Sequence, residues 1–346
     1  MKHRSLFLLN AIRWVNISIL VALFFLGLPA LSVGEEKDQL SPYIESFPEG
    51  WIDWENGIVY GVGKGFLEKN NNSKNKSLRA AQIMAQQSIV KVAARIRLNG
   101  RQTLETLEKE SGVIRLKAFI RSEEHKTVFE SNGNQPHFKV TLKTPLNGIE
   151  GLTIRLLDSL KTKPTVWQEF PKPPDKKYVE DEEAPWLLLD ARKVMVQNGV
   201  KPALFPKIMS SSGQTIYDLN NVEEDALAKR GMAKYVISDM PQGQLGLQRN
   251  GIDKRITGLL KLLYPQEVYA QEERKKRKRR KFIVTEVAQA QGLTKTNLII
   301  SEDDARKVSA EDASSRILKK CRVIILMSSA VGGVEGSIPC YLAFNY

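Results

Sequence analysis

Residues 77–98 read SLRAAQIMAQQSIVKVAARIRL, the longest cleanly amphipathic segment of the chain. Leu78, Ala81, Ala85, Ile89, Val92 and Ile96 recur at steps of three and four, while Arg79, Gln82, Gln86, Lys91 and Arg95 take the other side. That spacing predicts one helix with a narrow apolar face. Its alanines let a partner approach closely, and β-like segments lie before it at 51–65 and after it at 113–143. A helix with such a face buries it best on a sheet. The first domain, residues 50–160, is therefore expected to be an amphipathic helix packed on a mostly antiparallel sheet.

The flanks fill in that sheet. Residues 50–54, GWIDW, and 58–63, IVYGVG, surround Glu55-Asn56-Gly57, and the Asn-Gly pair marks a hairpin. Gly61, Gly63 and Gly65 do not make a dinucleotide fingerprint, which needs its glycines to run straight into a helix. Here the run Asn70-Asn71-Asn72-Ser73 intervenes, so the glycines are expected to shape a twisted strand end beside the helix. Strands are expected at 113–120, 126–130 and 137–143, the last two joined by the polar turn at 131–134. Residues 35–49 read as a polar spacer.

Pro164, Pro171, Pro173, Pro174 and Pro185, with a charged run at 175–183, make 161–185 a linker by composition. A second domain, residues 186–346, is expected beyond it. Strands are predicted at 186–190, 215–217, 233–237, 297–300 and 321–327, with an edge strand or an extended segment at 200–208. A helix is predicted to start after Ser301. The fold class is thus α+β in both halves, the second strand-rich, with a basic insertion at 242–281.

At 346 residues and 42% hydrophobic content the chain can bury a sizeable core and is long enough for two domains. Lys2, Arg4 and Arg13 precede an uncharged run at 14–34 with an apolar centre at 17–28, broken by Pro29 and followed by the small residues Ala30, Ser32 and Gly34. This is the pattern of a secretory signal peptide, and cleavage after Ser32 or Gly34 fits it. An uncleaved membrane anchor is the alternative, since about 20 apolar residues span a bilayer. Both place the body of the protein outside the cytoplasm, in the periplasm or on the envelope. No Cys stands near residues 30–34, so a lipidated N-terminal Cys is excluded.

Two stretches carry a resemblance. The hairpin of Gly50-Trp51-Ile52 with Gly61-Val62-Gly63, followed by the Arg-Ala-Ala-rich helix at 79–96, resembles the family of small envelope lipoproteins called Lpp-twenty, and is similar to flagellar outer-membrane P-type proteins. The stretches LLLDARKVMVQNGVKPALFPKIMSSSGQTIYD, NLIISEDDARKV and LKKCRVIIL resemble the C-terminal region attached to that module in exported bacterial proteins. The resemblance implies an extracytoplasmic protein without a general enzymatic activity. The missing lipidation Cys departs from the lipoprotein pattern, and residues 242–281 resemble nothing recognised.

Candidate chemistry is sparse, and no cofactor is implied. Of three histidines, His3 lies in the leader, His125 beside Glu123 and Glu124, and His137 at a strand start; none sits in a metal or triad motif. Glu302, Asp303 and Asp304 could hold a hard cation, yet they follow Ser301 at a helix start, where carboxylates suit the exposed amides and the dipole. Asp190 could be a catalytic acid, or an ion-pair partner for Arg192; no second acid is fixed near it by spacing.

The formal charge of +13 owes eight positive charges to Arg274, Lys275, Lys276, Arg277, Lys278, Arg279, Arg280 and Lys281. That run is either a solvated loop or a contact to an anionic lipid or cell-wall polymer. The export signal and the absence of interleaved aromatics argue against nucleic acid. An apolar stripe at 256–263, with Lys254, Arg255 and Lys261, could lie on a membrane surface, or serve as core or as a partner contact. Cys321 and Cys340 could pair in an oxidising compartment, closing a loop worth about 3 kcal/mol on the chain-entropy account; otherwise Cys321 is a buried small hydrophobe. The sequence as a whole points to a non-catalytic envelope protein that scaffolds or helps assemble a surface structure, with envelope proteins or a second copy as partners. A hydrolase acting on an envelope polymer is the competing class, as is an anionic-lipid or cell-wall-binding module.

Overall fold

Short, half-apolar strands dominate the computed structural model, which describes residues 40–67, 74–112, 115–131, 135–160, 169–171, 173, 184–194, 199–238 and 282–328. The leader at 1–34, the insertion at 242–281 with its basic run and amphipathic stripe, and Cys340 lie outside the described residues. No helix among the described residues is long and apolar enough to cross a membrane.

The first half runs β1 (Leu40–Pro42), β2 (Ile44–Phe47), β3 (Gly50–Asp53), β4 (Ile58–Phe66), α1 (Lys74–Ala94), α2 (Leu104–Ser111), α3 (Leu116–Phe119), β5 (Glu123–Glu130), β6 (His137–Pro145) and α4 (Leu152–Leu160). Strands β2-β3-β4-β6-β5 form one sheet in that order, antiparallel throughout. The fold is α+β, with the amphipathic helix α1 lying across this sheet. Every second residue of β4 on the helix side is small or apolar: Val59, Gly61, Gly63 and Gly65. A Cβ on Gly61 would stand 2.4 Å from Ile89 N, one on Gly63 2.2 Å from Ala81 O and Ala85 N, and one on Gly65 1.9 Å from Ser77 O. The glycine stripe and the Ser77, Ala81, Ala85 stripe therefore bring two backbones into contact, and Ser77 Oγ donates to Phe66 O at 3.0 Å. These glycines serve packing, as their position away from any helix start predicts.

Two elements differ from the sequence reading. Residues 35–49, expected as a spacer, contain β1 and β2, because β3 offers an unpaired edge that β2 fills in register from Ile44↔Asp53 to Phe47↔Gly50. The strand expected at 113–120 is in its described part the helical turn α3, with Leu116 buried and Leu116 N donating to Glu108 Oε1 at 3.0 Å. A short apolar run does not distinguish strand from helix by period. Here α2, closed by a Thr103–Thr106 capping box and by Gly112 at φ 65°, aims the chain into a second turn rather than along a sheet edge.

The second half runs β7 (Trp186–Asp190), β8 (Lys207–Ser210), β9 (Thr215–Tyr217), α5 (Glu224–Arg230), β10 (Lys234–Ser238), β11 (Phe282–Glu286), β12 (Gln289–Gln291), β13 (Asn297–Ile300), α6 (Glu302–Ser315) and β14 (Val323–Met327). Strands β10, β14, β7 and β11 are parallel, and β1 closes that sheet antiparallel beside β10. The continuous apolar runs WLLLD and VIILM suit strands buried on both faces. A smaller sheet, β12-β13-β8-β9, stands beside it. The extended segment expected at 200–208 is a loop that enters β8 only at Lys207, after Pro202 and Pro206.

The halves share one core. Its buried side chains run without a break from Ile52 and Trp54 to Ile325 and Met327, and the described residues belong to one compact unit. Strand β1 crosses to pair with β10. Leu204 N and Phe205 N donate to the carbonyls of Arg97 and Leu98 at 2.9 and 2.8 Å. In the Pro-rich segment, Phe170 is buried and its N–H donates to Thr215 O at 2.8 Å. The composition boundary at 161–185 therefore marks a change of sheet, not a break in the core.

Replacing Gly63 by valine should lower the unfolding free energy by at least about 3 kcal/mol in urea titrations, because the clash is with backbone and neither side can yield cheaply. Gly112→Ala, where a Cβ meets nothing within 4 Å and only the positive φ is strained, should cost about 1 kcal/mol.

Candidate binding surface

Helix α1 covers one face of the first sheet; the other face carries the opposite residues of each strand. On β4 these are Ile58, Tyr60, Val62, Lys64 and Phe66. Register adds Trp51 from β3 beside Tyr60, Lys143, Lys139 and His137 from β6, and Lys126 and Glu130 from β5. Trp51 stacks on Tyr60 with centroids 4.6 Å apart and planes 16° apart; the His125 ring meets Tyr60 edge-on at 5.2 Å; Phe66 lies 5.0 Å from His137. Phe66 keeps 49% of its surface exposed and Lys64 is exposed. These are aromatic and imidazole rings drawn from four strands, with lysines alongside. Glu123 pairs with Lys143 at 3.1 Å, and Glu130 with His137 at 3.1 Å and with Lys139 at 3.8 Å. The β5 edge itself is charged and bulged between Glu124 and Lys126, features that discourage strand addition. The face, rather than the edge, is the surface on offer.

The acids weighed as catalytic are each engaged. Asp190, at the carboxyl end of the interior strand β7, takes a bidentate contact from Arg192: Nε to Oδ1 at 2.8 Å and Nη2 to Oδ2 at 2.5 Å, with Arg192 nearly fully buried. Ser301 caps α6 by accepting from Asp304 N at 3.1 Å. Glu302 accepts from Ser212 N at 2.8 Å, and that bond holds its carboxyl below the usual range. Asp303 and Asp304 pair with Arg306 and Lys307 one turn on. Among the described residues no group of three or more His, Cys, Asp or Glu side chains could hold a metal ion. Cys321 is a buried free thiol, at φ 53° in the turn before β14, and burial pushes it up to about 11.

Glu55 was missed in the sequence, where it reads as one polar residue of a hairpin turn. It stands in the β3–β4 turn with Oε2 buried and without a hydrogen-bond partner among the described residues. Burial first, then the neighbouring Asp53, pushes its carboxyl up to about 7, while Lys234 of β10 pulls it down. Lys234 is itself lowered by burial against the opposing pull of Glu55. Asp53, beside it, accepts from Asn56 N and Nδ2 at 2.9 and 2.8 Å. The aromatic face was not singled out in the sequence either; the signal that could have found it is the alternation of Tyr60, Val62, Lys64 and Phe66 with the glycine stripe in IVYGVGKGF.

Residues 186–329 match the family described as Treponema pallidum Tp0624, second domain. The matched region begins at β7 and takes in the described strands and helices of the second half, less than half of the chain. No curated protein matches the sequence.

The pH dependence of stability follows from Glu55. Its folded value of about 7 exceeds its ordinary 4.5, so the folded state binds the proton more tightly. The stabilisation is complete below about pH 4.5 and is lost as pH rises through 7. The thermal midpoint of the wild type should fall between pH 5 and pH 8, and Glu55→Gln should flatten that fall; equal slopes for the two proteins would contradict the assignment.

Proposed function

We propose that this is a non-catalytic, exported protein of the bacterial cell envelope. It scaffolds or helps assemble an envelope or surface structure, a flagellum-associated one among the candidates, by holding an envelope protein on the aromatic–cationic face of the first sheet. The observation that carries this reading is that face: Trp51, Tyr60 and Phe66 with Lys64, Lys139 and Lys143, presented by a sheet whose other side is fixed to α1 at backbone contact. Aromatic anchors flanked by charge, on a surface that does not move, are what protein–protein recognition uses. The N-terminal pattern of basic residues, an apolar run and small residues supports export. The likeness of 186–329 to a Treponema pallidum domain supports a bacterial setting. A second copy of the chain, an anionic lipid or a cell-wall polymer are the other partner classes.

The test is in the native host. A photo-crosslinking residue at Phe66 should join the protein to a defined partner in the envelope fraction, and Lys64→Glu should reduce that product at least fivefold with the thermal midpoint unchanged. Undiminished crosslinking by the Lys64 variant would contradict the proposal. N-terminal sequencing of the envelope form should begin after Ser32 or Gly34, or at Met1 if the leader stays as an anchor; intact Met1 in a soluble cytoplasmic fraction would contradict export.

A further inference from the structure

Helix α1 carries apolar residues on two sides, and the sheet covers only one of them. Its buried residues, from Ser77 and Ala81 to Val92 and Ala93, are the side that meets the sheet. On the opposite side Lys76, Ala80, Ile83, Gln87, Val90 and Ala94 follow one another at steps of four and three. That is the a/d spacing of a helix that pairs with another helix. Ile83 and the adjacent Met84 keep 44% and 47% of their surface exposed; Ala80 and Gln87 are exposed, and Val90 and Ala94 half-buried. Single exposed apolar side chains are ordinary on a protein surface, but a continuous row of them marks a contact. From 76 to 94 the row is about 27 Å long at about 1.5 Å per residue.

The charges along that row have one sign. Helix α1 contains Lys74, Lys76, Arg79 and Lys91 and no acidic residue. Lys74 lies over the Phe129 ring at 5.5 Å. Lys76, Arg79 and Lys91 are exposed, with no hydrogen bond or ion pair among the described residues. Exposed cations on other helices are neutralised within one turn: Lys109 by Glu105 on α2, Arg306 by Asp303 and Lys307 by Asp304 on α6. With Ile83 at a d position, Arg79 takes g and Lys91 takes e, the positions whose charge selects the partner helix.

The occupant follows from that charge. A second copy of α1 would set the same cations against one another. The chain's own apolar stripe at 256–263, with Lys254, Arg255 and Lys261 beside it, is equally mismatched. A lipid surface takes a broad apolar sector with aromatic side chains, whereas this row is narrow, is interrupted by Gln87 and has no aromatic ring.

We infer that the outer side of α1 docks an acidic amphipathic helix of a partner protein. The partner's apolar a and d residues pack on Ala80, Ile83, Val90 and Ala94 at the shallow crossing of about 20° that this spacing gives, and its carboxylates at e and g meet Arg79 and Lys91. Ala80 and Ala94 let the two helix axes approach closely. The aromatic face lies on the far side of the sheet from α1, so the two surfaces are separate, and this inference does not rest on the function proposed there.

The probe is a labelled, end-capped peptide of about 28 residues, long enough to hold a helix, with leucine at a and d and glutamate at e and g. Fluorescence anisotropy with the full chain should show saturable binding, and the same peptide with lysine at e and g should bind at least tenfold more weakly. Ile83→Ser, which leaves every charge in place, should weaken the glutamate peptide at least tenfold. Arg79→Glu combined with Lys91→Glu should reverse the order of the two peptides. All three positions are exposed, so each variant should keep the thermal midpoint of the wild type. Absence of saturable binding by the glutamate peptide would overturn the inference, as would equal binding by Ile83→Ser and the wild type, which is the mark of charge attraction elsewhere on this basic chain. A dimer of the free chain that Ile83→Ser dissolves would assign the row to a second copy instead. Phosphatidylglycerol vesicles that sediment the wild type but not Ile83→Ser would assign it to a lipid surface, and either result would overturn the partner-helix assignment.

Discussion

Arg97 lies at the join of the two halves with its charge almost entirely withdrawn from water. Its guanidinium is paired with Glu45 of β2, its Nε donates to Pro202 O at 2.7 Å, and its Cζ lies over the Trp54 ring, 5.9 Å from the centroid. Glu45 also accepts from Trp54 Nε1 at 3.0 Å. On the far side of Trp54 is Tyr235 of β10, edge-on at 5.8 Å, whose hydroxyl both donates to Ala203 O and accepts from Ala203 N at 3.0 Å. Side-chain exposures of 13% for Arg97 and 17% for Glu45 mean that neither can lose its partner without leaving a desolvated charge, a cost of about 3–5 kcal/mol. The same cluster pushes the Tyr43 hydroxyl up to about 12, through burial and the Glu45 carboxylate with Arg97 opposing. The polar contacts in this cluster are directional, so they set one angle between the halves where apolar burial alone would accept several.

That fixed angle has consequences on both outer surfaces. It brings the loop after α1 onto the β12–β13 turn, where Gly100 and Gly292 are close enough to exclude any side chain. It also packs Asn147 between Gly57 and Gly231, at positive φ of 64° and 69°, so that the β3–β4 turn and the loop before β10 are held by one side chain. Glu55 lies in that same turn, buried beside Lys234, which explains why a carboxylate on a hairpin has an altered proton affinity. The face of the first sheet away from α1 is left to solvent, and its aromatics stack on one another across strands.

The sequence displayed local order well and the join hardly at all. The helix period, the Asn-Gly hairpin, the Ser301 cap and the Asp190–Arg192 pair all depend on residues close together in the chain, and each is found where its spacing predicts, except that the helix expected over 77–98 ends at Ala94 and residues 95–98 leave it to meet the second half. The glycines of β4 were legible as packing residues because no helix start follows them. What was not legible depends on partners far apart: β2 needs the edge of β3, β1 needs β10, and Arg97 needs Glu45 and Pro202. Glu55 belongs to that class, since its charged neighbours Asp53 and Lys234 come from the two halves. The stretch at 113–120 misled for a local reason, an apolar run too short to show a period. The signal pattern, the basic run and Cys340 lie outside the described residues, so the structure bears on none of them.

The central claim is that the two halves are one cooperative unit with the Glu45–Arg97–Trp54 cluster as its join. Native-state hydrogen exchange under increasing urea tests it directly, by comparing the slowest amides of α1 and β4 with those of β7 and β14 in the wild type and in Arg97→Met. The account predicts a single opening free energy shared by both sets, lowered by the same amount, about 3 kcal/mol or more, in the variant. Two distinct opening free energies in the wild type, or a variant in which only the α1 and β4 amides lose protection, would contradict it.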